Sequence, residues 1–237
     1  MTEKISVIIL TMNSQKHLAI CINAILMQKY PNFEIIVVDS NSTDNTLSIL
    51  QNYNTKTTQI KIIKFGNHIS VGKARQIGMD HAKGEILAYI DSDVELSHEN
   101  WLENMTQPIL NGYKSIPKEQ IAGVQTLAKC RDSDPPVLKR IHASFEYKYD
   151  ILDTEHYQIV GTSHLLLQKS ILKKVGGFKD IYSGEDVSVM KSIMQLGYKF
   201  IYLKNEKCYH HHVDSYTTHI KRTIRGYKNR IKNILLR

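Results

Sequence analysis

Three stretches of this 237-residue chain carry side chains whose types and spacing suit joint chemistry. The first is Tyr89-Ile90-Asp91-Ser92-Asp93, at the end of an apolar run. In extended chain, residues two apart point the same way, so Asp91 and Asp93 offer carboxylates to one side. Two hard oxygen ligands beside an open site suit Mg²⁺ or Mn²⁺ carrying a diphosphate. The competing reading is a solvated turn, which Asp and Ser also favour. The second is Ser183-Gly184-Glu185-Asp186. A carboxylate there can take a proton from an attacking hydroxyl as general base, or Ser183 and Asp186 can open a helix as a capping box. The third is His210-His211-His212, where one imidazole can complete a metal shell but three neighbours cannot all face one ion. A zinc site built on Cys208 lacks its remaining ligands.

Such groups need elements that bring them together. Residues 5–10, 33–38, 60–65 and 85–90 are apolar and rich in β-branched side chains, as strands buried on both faces are. Between them, residues 17–28, 43–53 and 71–82 read as helices, the second with capping side chains at 41–44. This β-α-β-α-β-α-β order predicts right-handed crossovers and a doubly wound, mostly parallel α/β sheet flanked by helices. Ligands of such sheets bind beyond the carboxyl ends of the strands. There the chain places Thr11-Met12-Asn13, Asp39-Ser40-Asn41-Ser42-Thr43-Asp44 and Asp91-Ser92-Asp93. Asp39 can accept from a nucleobase N–H, with Thr11 at the rim, or it can close an Asx-turn. Arg75 can support a diphosphate or hold Asp91 through a forked contact. Further on, helices are expected over 100–110, 137–152 and 186–196, and strands over 121–127, 160–168 and 198–203.

Composition narrows the classes. With 42 % hydrophobic and 23 % charged residues the chain is globular rather than disordered. No apolar run approaches the roughly 20 residues of a membrane span. Glu3 beside Lys4, and an apolar run that meets Asn13 with no small-residue cleavage site, argue against a secretory signal. Three scattered cysteines favour a reducing, cytoplasmic setting. Residues 213–237 hold seven Lys and Arg against one acid, so they carry +6 of the net +8. That asymmetry disfavours a nucleic-acid binder. Strand one is followed by neither a Gly-x-Gly-x-x-Gly nor a P-loop, which argues against a dinucleotide dehydrogenase and a P-loop NTPase. Nucleotidyl transfer would want a glycine-rich basic loop, and residues 11–18 contain no glycine.

In this order the motifs resemble glycosyltransferase family 2 and its GT-A, nucleotide-diphospho-sugar transferase fold. Thr11-Met12-Asn13 stands where the family has Thr-Tyr-Asn, and residues 37–44 resemble its Val-Val-Asp-Asp-Gly-Ser-Thr-Asp. Residues 67–78 loosely resemble its Asn-x-Gly-x-x-x-Ala-Arg-Asn-x-Gly, and Asp91-Ser92-Asp93 its metal motif. Gly176-Gly177-Phe178, Gly184-Glu185-Asp186, Gly197-Tyr198 and His210 follow in order, so the resemblance spans roughly 5–212. Ser40, Asn41 and Ser70 stand where the family has Asp, Gly and Gly. The resemblance implies that Thr11, Asp39 and Arg75 contact the nucleotide and that Asp91 holds ribose or metal. It further implies that Asp93 binds Mn²⁺ or Mg²⁺, that Asp186 is the general base with Glu185 beside it, and that His210 touches metal or phosphate. The implied donor is UDP- or GDP-linked, and the acceptor a glycan or a lipid-linked chain. On this reading 1–212 is one catalytic domain, with a nucleotide-sugar half at 1–115 and an acceptor half at 116–212. Polyprenyl-phosphate glycosyl transfer and a non-catalytic nucleotide-sugar module are the alternatives.

Residues 213–237 read as a separate helix. Ile220, Ile224, Tyr227, Ile231, Ile234 and Leu235 form one apolar stripe, with Lys221, Arg222, Arg225, Lys228 and Lys232 mostly opposite. Such a helix can lie on the anionic inner face of a membrane or pack its stripe on the domain.

Overall fold

Strands with two apolar faces must be covered twice, and the chain supplies helices for both sides. The computed structural model describes residues 2–55, 59–131, 148–156 and 161–211, with 136, 139 and 224 singly. The expected 213–237 helix and His212 therefore lie outside the described residues, apart from Ile224. In order the elements are β1 (Ile5–Thr11), α1 (Leu18–Leu26), β2 (Phe33–Ser40), α2 (Thr46–Asn54), β3 (Ile60–Phe65) and α3 (Val71–His81). Next come β4 (Ile86–Ile90), β5 (Val94–Leu96), α4 (Trp101–Asn111), β6 (Ile121–Lys129) and β7 (Ile151–Leu152). The described chain then adds β8 (His164–Gln168), α5 (Lys169–Lys174), α6 (Glu185–Gln195) and β9 (Lys199–His210).

These strands form one sheet in the order β3-β2-β1-β4-β8-β6-β9-β5, with β7 also on β9. β1, β2, β3, β4, β6 and β9 run one way, while β5, β7 and β8 run against them. Side chains alternate as the pleat requires. Ile5, Val7 and Ile9 with Ile35 and Val37 pack against Leu18, Ile22, Leu50, Trp101 and Met105, on the side of α1, α2 and α4. Ile8, Ile36, Val38 and Tyr89 face Ala74, Ile171, Met190 and Ile193, on the side of α3, α5 and α6. Close approach on that second face demands glycine at Gly78, where a Cβ would strike the Ile8 side chain.

Several boundaries differ from expectation for local reasons. α2 starts at Thr46 rather than 43, because Ser42 and Thr43 are spent on loop contacts; Asp44 accepts from the Thr46 amide at 2.9 Å at the start of the helix, while Asn45 makes no side-chain capping bond. The 137–152 helix falls largely outside the described residues, and its last two residues are strand instead, since Ile151 and Leu152 pair with Ile201 and Phe200. Strand β8 begins at His164, after a turn at 162–163, rather than at 160. The last strand runs on to His210, past a register break opposite Thr126 and Leu127. Its continuation is too polar, Lys204-Asn205-Glu206-Lys207, to read as strand from sequence.

The amino ends of the central strands are clamped by one carboxylate. Glu34 accepts from the Ser6 hydroxyl (2.7 Å) and the Lys83 amide (2.7 Å), with Lys4 at 3.7 Å; Ser6 in turn accepts from the Gly84 amide (2.8 Å). Burial alone would raise the Glu34 pKa, but these hydrogen bonds and the two lysines outweigh it and hold it below the usual value. A depressed carboxylate stabilises the fold above its unfolded pKa of about 4.3, and that contribution is lost as pH falls through the lower folded value. Urea unfolding of Glu34→Gln is expected to show a deficit of about 1 kcal/mol at pH 7 that shrinks steadily below pH 4.

Candidate active site

At the carboxyl edge the polar strand ends meet. Thr11 and Asp39 are register partners across β1 and β2, and the Thr11 hydroxyl donates to Asp39 at 2.8 Å. Asp39 is 0 % exposed and accepts twice more, from the Ser42 hydroxyl (2.5 Å) and amide (2.9 Å). It thus closes an Asx-type turn and keeps a charge buried by hydrogen-bonding it. Two left-handed asparagines shape the loops, Asn13 (φ 55°) and Asn41 (φ 60°). Asparagine tolerates that conformation better than most side chains, so Asn41 does the backbone work of the family's glycine. The loops after β1 and β2 are sewn together: Asn13 N to Ser42 Oγ (2.9 Å), Thr43 N to Asn13 Oδ1 (2.8 Å), Ser14 N to Thr46 Oγ1 (2.7 Å). Ser40 accepts from the Ile69 amide at 2.9 Å and so anchors the loop after β3.

Asp91 to Val94 form a turn, closed by the Val94 amide on the Asp91 carbonyl at 2.9 Å. The carboxylates therefore converge through a turn and not through extended chain. His210 arrives from the far end of β9, held opposite Val94 by the β5 pairing. Its Nε2 lies 3.1 Å from Asp93 Oδ1. Ligand atoms of Asp91, Asp93 and His210 all lie within 4.8 Å of one another. Two ligands facing each other across an ion with bonds of about 2.1 Å stand roughly 4.2 Å apart, so the group fits Mn²⁺ or Mg²⁺.

Neighbours hold this turn in place. The Asp91 amide donates to the Ser163 carbonyl (2.9 Å), the His211 amide to the Asp93 carbonyl (2.9 Å), and Ser92 to Ser14 (2.9 Å). His211 turns away from His210: its Nε2 is 3.1 Å from Glu95, its ring stacks on His17 at 5.2 Å, and Arg131 pairs with Glu95 from outside. Sequence reading missed Glu95 and Ser14; the alternation of acids at 91, 93 and 95 was the available signal. Burial first, then the Asp93 and Asp91 carboxylates, push the Cys21 thiol well up; burial and Asp91 do the same to Cys208. Among the described residues the group within reach of one ion is Asp91, Asp93 and His210, without Cys208.

The second half of the edge is built on α3 and α6. Ser70 caps α3, accepting from the Lys73 amide at 3.0 Å. Gly72 lies so close to the Lys179 carbonyl that no Cβ fits, and its amide donates to Ile181 at 3.2 Å. Gln76 accepts from the Phe178 amide at 2.9 Å. Arg75 is paired with Glu185 at the head of α6, with side-chain exposures of only 8 % and 6 %. The partner of Arg75 is thus Glu185, not Asp91, and the pair is buried. Glu185 spends its charge on Arg75, while Asp186 beside it stays partly exposed. The capping box is not formed: the N-cap of α6 is Gly184 (φ 80°), with no side-chain capping bond.

With this geometry in view, the comparisons with known proteins fall into place. Residues 6–176 match the family model for glycosyl transferase family 2. The chain belongs to that family. Glu185, Asp186 and His210 lie beyond the matched span. Glycosyltransferase GlyG of Streptococcus pneumoniae is 35 % identical over 109 residues, covering 46 % of this chain and 36 % of GlyG. The mannosyltransferase PcManGT of Pyrobaculum calidifontis, solved with GDP-Man and Mn²⁺, superposes with a TM-score of 0.71 at 20 % identity, covering 94 % of this chain and 60 % of that one. A TarS fragment of S. aureus, solved with UDP-GlcNAc, gives a TM-score of 0.64 at 23 % identity over 87 % of this chain and 58 % of that one. At these identities the two structures establish the GT-A fold. The chain spans between about a third and three-fifths of the length of these three proteins.

Breaking a buried ion pair leaves an uncompensated charge, which costs about 3 kcal/mol or more. Arg75→Met and Glu185→Leu should each destabilise by that order in urea unfolding, and the double variant should recover most of the loss. Additive losses would mean the two side chains do not act as a pair.

Proposed function

We propose that this chain transfers a glycosyl group from a nucleotide-diphospho-sugar to an acceptor hydroxyl, with a divalent ion and with inversion. The observation that carries this reading is the convergence of Asp91, Asp93 and His210 at the carboxyl edge of a GT-A sheet. Thr11 and Asp39 form the floor under the base, in the 1–115 half that takes the donor. Asp91, Asp93 and His210 hold Mn²⁺ or Mg²⁺. Bound there, the ion supplies positive charge that stabilises the departing nucleoside diphosphate. Asp186, from the 116–212 half, takes the acceptor proton as the acceptor oxygen bonds the anomeric carbon and the bond to the diphosphate breaks. Attack opposite the leaving group inverts that carbon. UDP- and GDP-linked donors are both candidates, since the two solved neighbours hold UDP-GlcNAc and GDP-Man. In a transfer assay with Mn²⁺ over both donor types, Asp93→Ala should abolish metal-dependent turnover. Asp186→Asn should lower acceptor-dependent transfer about a hundred-fold or more while leaving Mn²⁺ and UDP or GDP affinity intact. No metal-dependent turnover by the wild type would overturn the proposal.

The acceptor is proposed to be lipid-linked, with the basic segment 213–237 seated on an anionic membrane surface at the cytoplasmic face. Among the described residues, Ile224 of the apolar stripe is helical and 50 % exposed, which favours a stripe turned outward over one packed on the domain. No helix among the described residues is long and apolar enough to cross a membrane. Each basic side chain near an anionic surface contributes about 1 kcal/mol. Reversing Lys221, Arg222 and Arg225 to Glu should therefore release the full chain from phosphatidylserine vesicles at 0.1 M salt; unchanged co-sedimentation would refute membrane docking.

A further inference from the structure

The turn that leads into β8 touches both metal-ligand segments. The Ser163 carbonyl accepts from the Asp91 amide at 2.9 Å. His164, next along, lies with its ring 6.4 Å from that of His210. β4 and β8 pair Ile90 with His164, and the Asp91–Ser163 bond extends that antiparallel register by one residue before the 91–94 turn, so Thr162 is the residue next to the one that touches Asp91.

The polar groups here are nearly all spent. Gln125 Nε2 donates to the Gly161 carbonyl at 3.1 Å, and Ser163 Oγ lies 2.8 Å from His164 Nδ1. His164 Nε2 lies 3.0 Å from the Thr126 carbonyl. The exception is the hydroxyl of Thr162, which is 2 % exposed and has no hydrogen-bond partner among the described residues. A buried hydroxyl without a partner is unfavourable, and valine would fill the same volume without that penalty. Position 162 is therefore poor as a packing choice, and it adjoins the residue that holds the Asp91 amide.

We infer that Thr162 is a donor-sugar contact: its hydroxyl hydrogen-bonds a hydroxyl or N-acyl group of the transferred sugar, on the side of the metal site away from the nucleotide. This rests on the proposed glycosyl transfer. It goes beyond that reading by assigning sugar recognition to the turn ahead of β8. The nucleotide contacts lie on β1 and β2, two strands and more away, so the hydroxyl bears on the sugar and leaves the nucleotide untouched.

The test compares the wild-type full chain with Thr162→Val and Thr162→Ser, with Mn²⁺, by calorimetric titration of UDP, GDP, UDP-GlcNAc, UDP-glucose and GDP-mannose and by thermal unfolding. Thr162→Val is expected to unfold at the wild-type temperature or above it, and to bind the free nucleotide as the wild type does. It should bind the preferred nucleotide sugar about ten-fold more weakly, the loss of one hydrogen bond, and Thr162→Ser should restore most of that affinity. Equal donor affinity in Thr162→Val and wild type would overturn the inference. So would a lower unfolding temperature with parallel loss of nucleotide and nucleotide sugar, which would make the hydroxyl structural. A wild type that binds free UDP or GDP but no added sugar also overturns it, whereas one that binds none of the five ligands overturns the glycosyl-transfer reading itself.

Discussion

A guanidinium and a carboxylate buried against each other at the heads of α3 and α6 join the two halves of the candidate site. Taking two charges out of water costs several kcal/mol each, so such a pair persists only where its geometry returns that cost. Here the return is positional. The Gly72 amide on Ile181 and Gln76 on Phe178 fix the same seam by neutral contacts, but these hold backbone to helix. The ion pair acts on α6 at the residue directly before Asp186. Glu185 is inaccessible, Asp186 is partly exposed, and one helix turn holds both. The neighbouring acids divide the work: one is locked in place so that the other can be presented.

The same economy governs the rest of the edge. A sheet apolar on both faces concentrates polar side chains at the strand ends, and at the ends of β1 and β2 they are tied down. Asp39 satisfies its charge with Thr11 and Ser42, Ser40 holds the loop after β3, and Asn13 bridges to Thr43. This pre-organisation bears on base reading. With three hydrogen bonds already accepted and no exposure, Asp39 is a rigid element of the pocket floor rather than a free carboxylate. Ser40, at the position of the family's second acid, turns its oxygen to Ile69. Under the proposed function, the pocket for the base is therefore less acidic than the family pattern implies, which leaves its selectivity to the backbone and to the loop residues around Asn13 and Asn41.

What sequence made legible follows from where information is local. The four parallel strands read directly because burial on both faces writes a continuous apolar run, and helices α1 and α3 read from their periodicity. Asp91, Asp93 and His210 were named as a metal set because their chemistry is unusual at strand ends, although the backbone that unites them is a turn and not the extended chain expected. Relations between distant residues were not legible. Nothing in Arg75 or Glu185 announces the other across 110 positions, and each alone looks like a ligand contact. The polar second half of β9 was also hidden, since Lys204 to Lys207 lie where the strand breaks register and carry no β signal. Thr162 was invisible for a different reason: a threonine is unremarkable until its neighbours are seen to be satisfied and its own hydroxyl is not.

The metal set also constrains how the site can form. Asp93 and His210 are 117 positions apart, and they meet because β9 pairs with β6 on both sides of its register break and with β5 at its end. β5 is three residues long and pairs with β9 alone, so neither ligand is placed until the sheet has been completed across β8, β6 and β9. Loop closure over such distances is entropically costly before native contacts reward it. A divalent ion bound by these three groups would act only on the finished sheet and would stabilise it by mass action. The register break at Lys204 to Lys207 lies on the strand that must deliver His210. It separates the part of β9 opposite Ile121 to Thr126 from the part opposite Leu127 to Lys129, where β5 pairs on the other edge, so the imidazole is placed by pairings on both edges and by the His211 amide on Asp93. The ligand supplied from beyond the family-matched span thus stands at the very end of its strand, opposite the first residue of the three-residue β5.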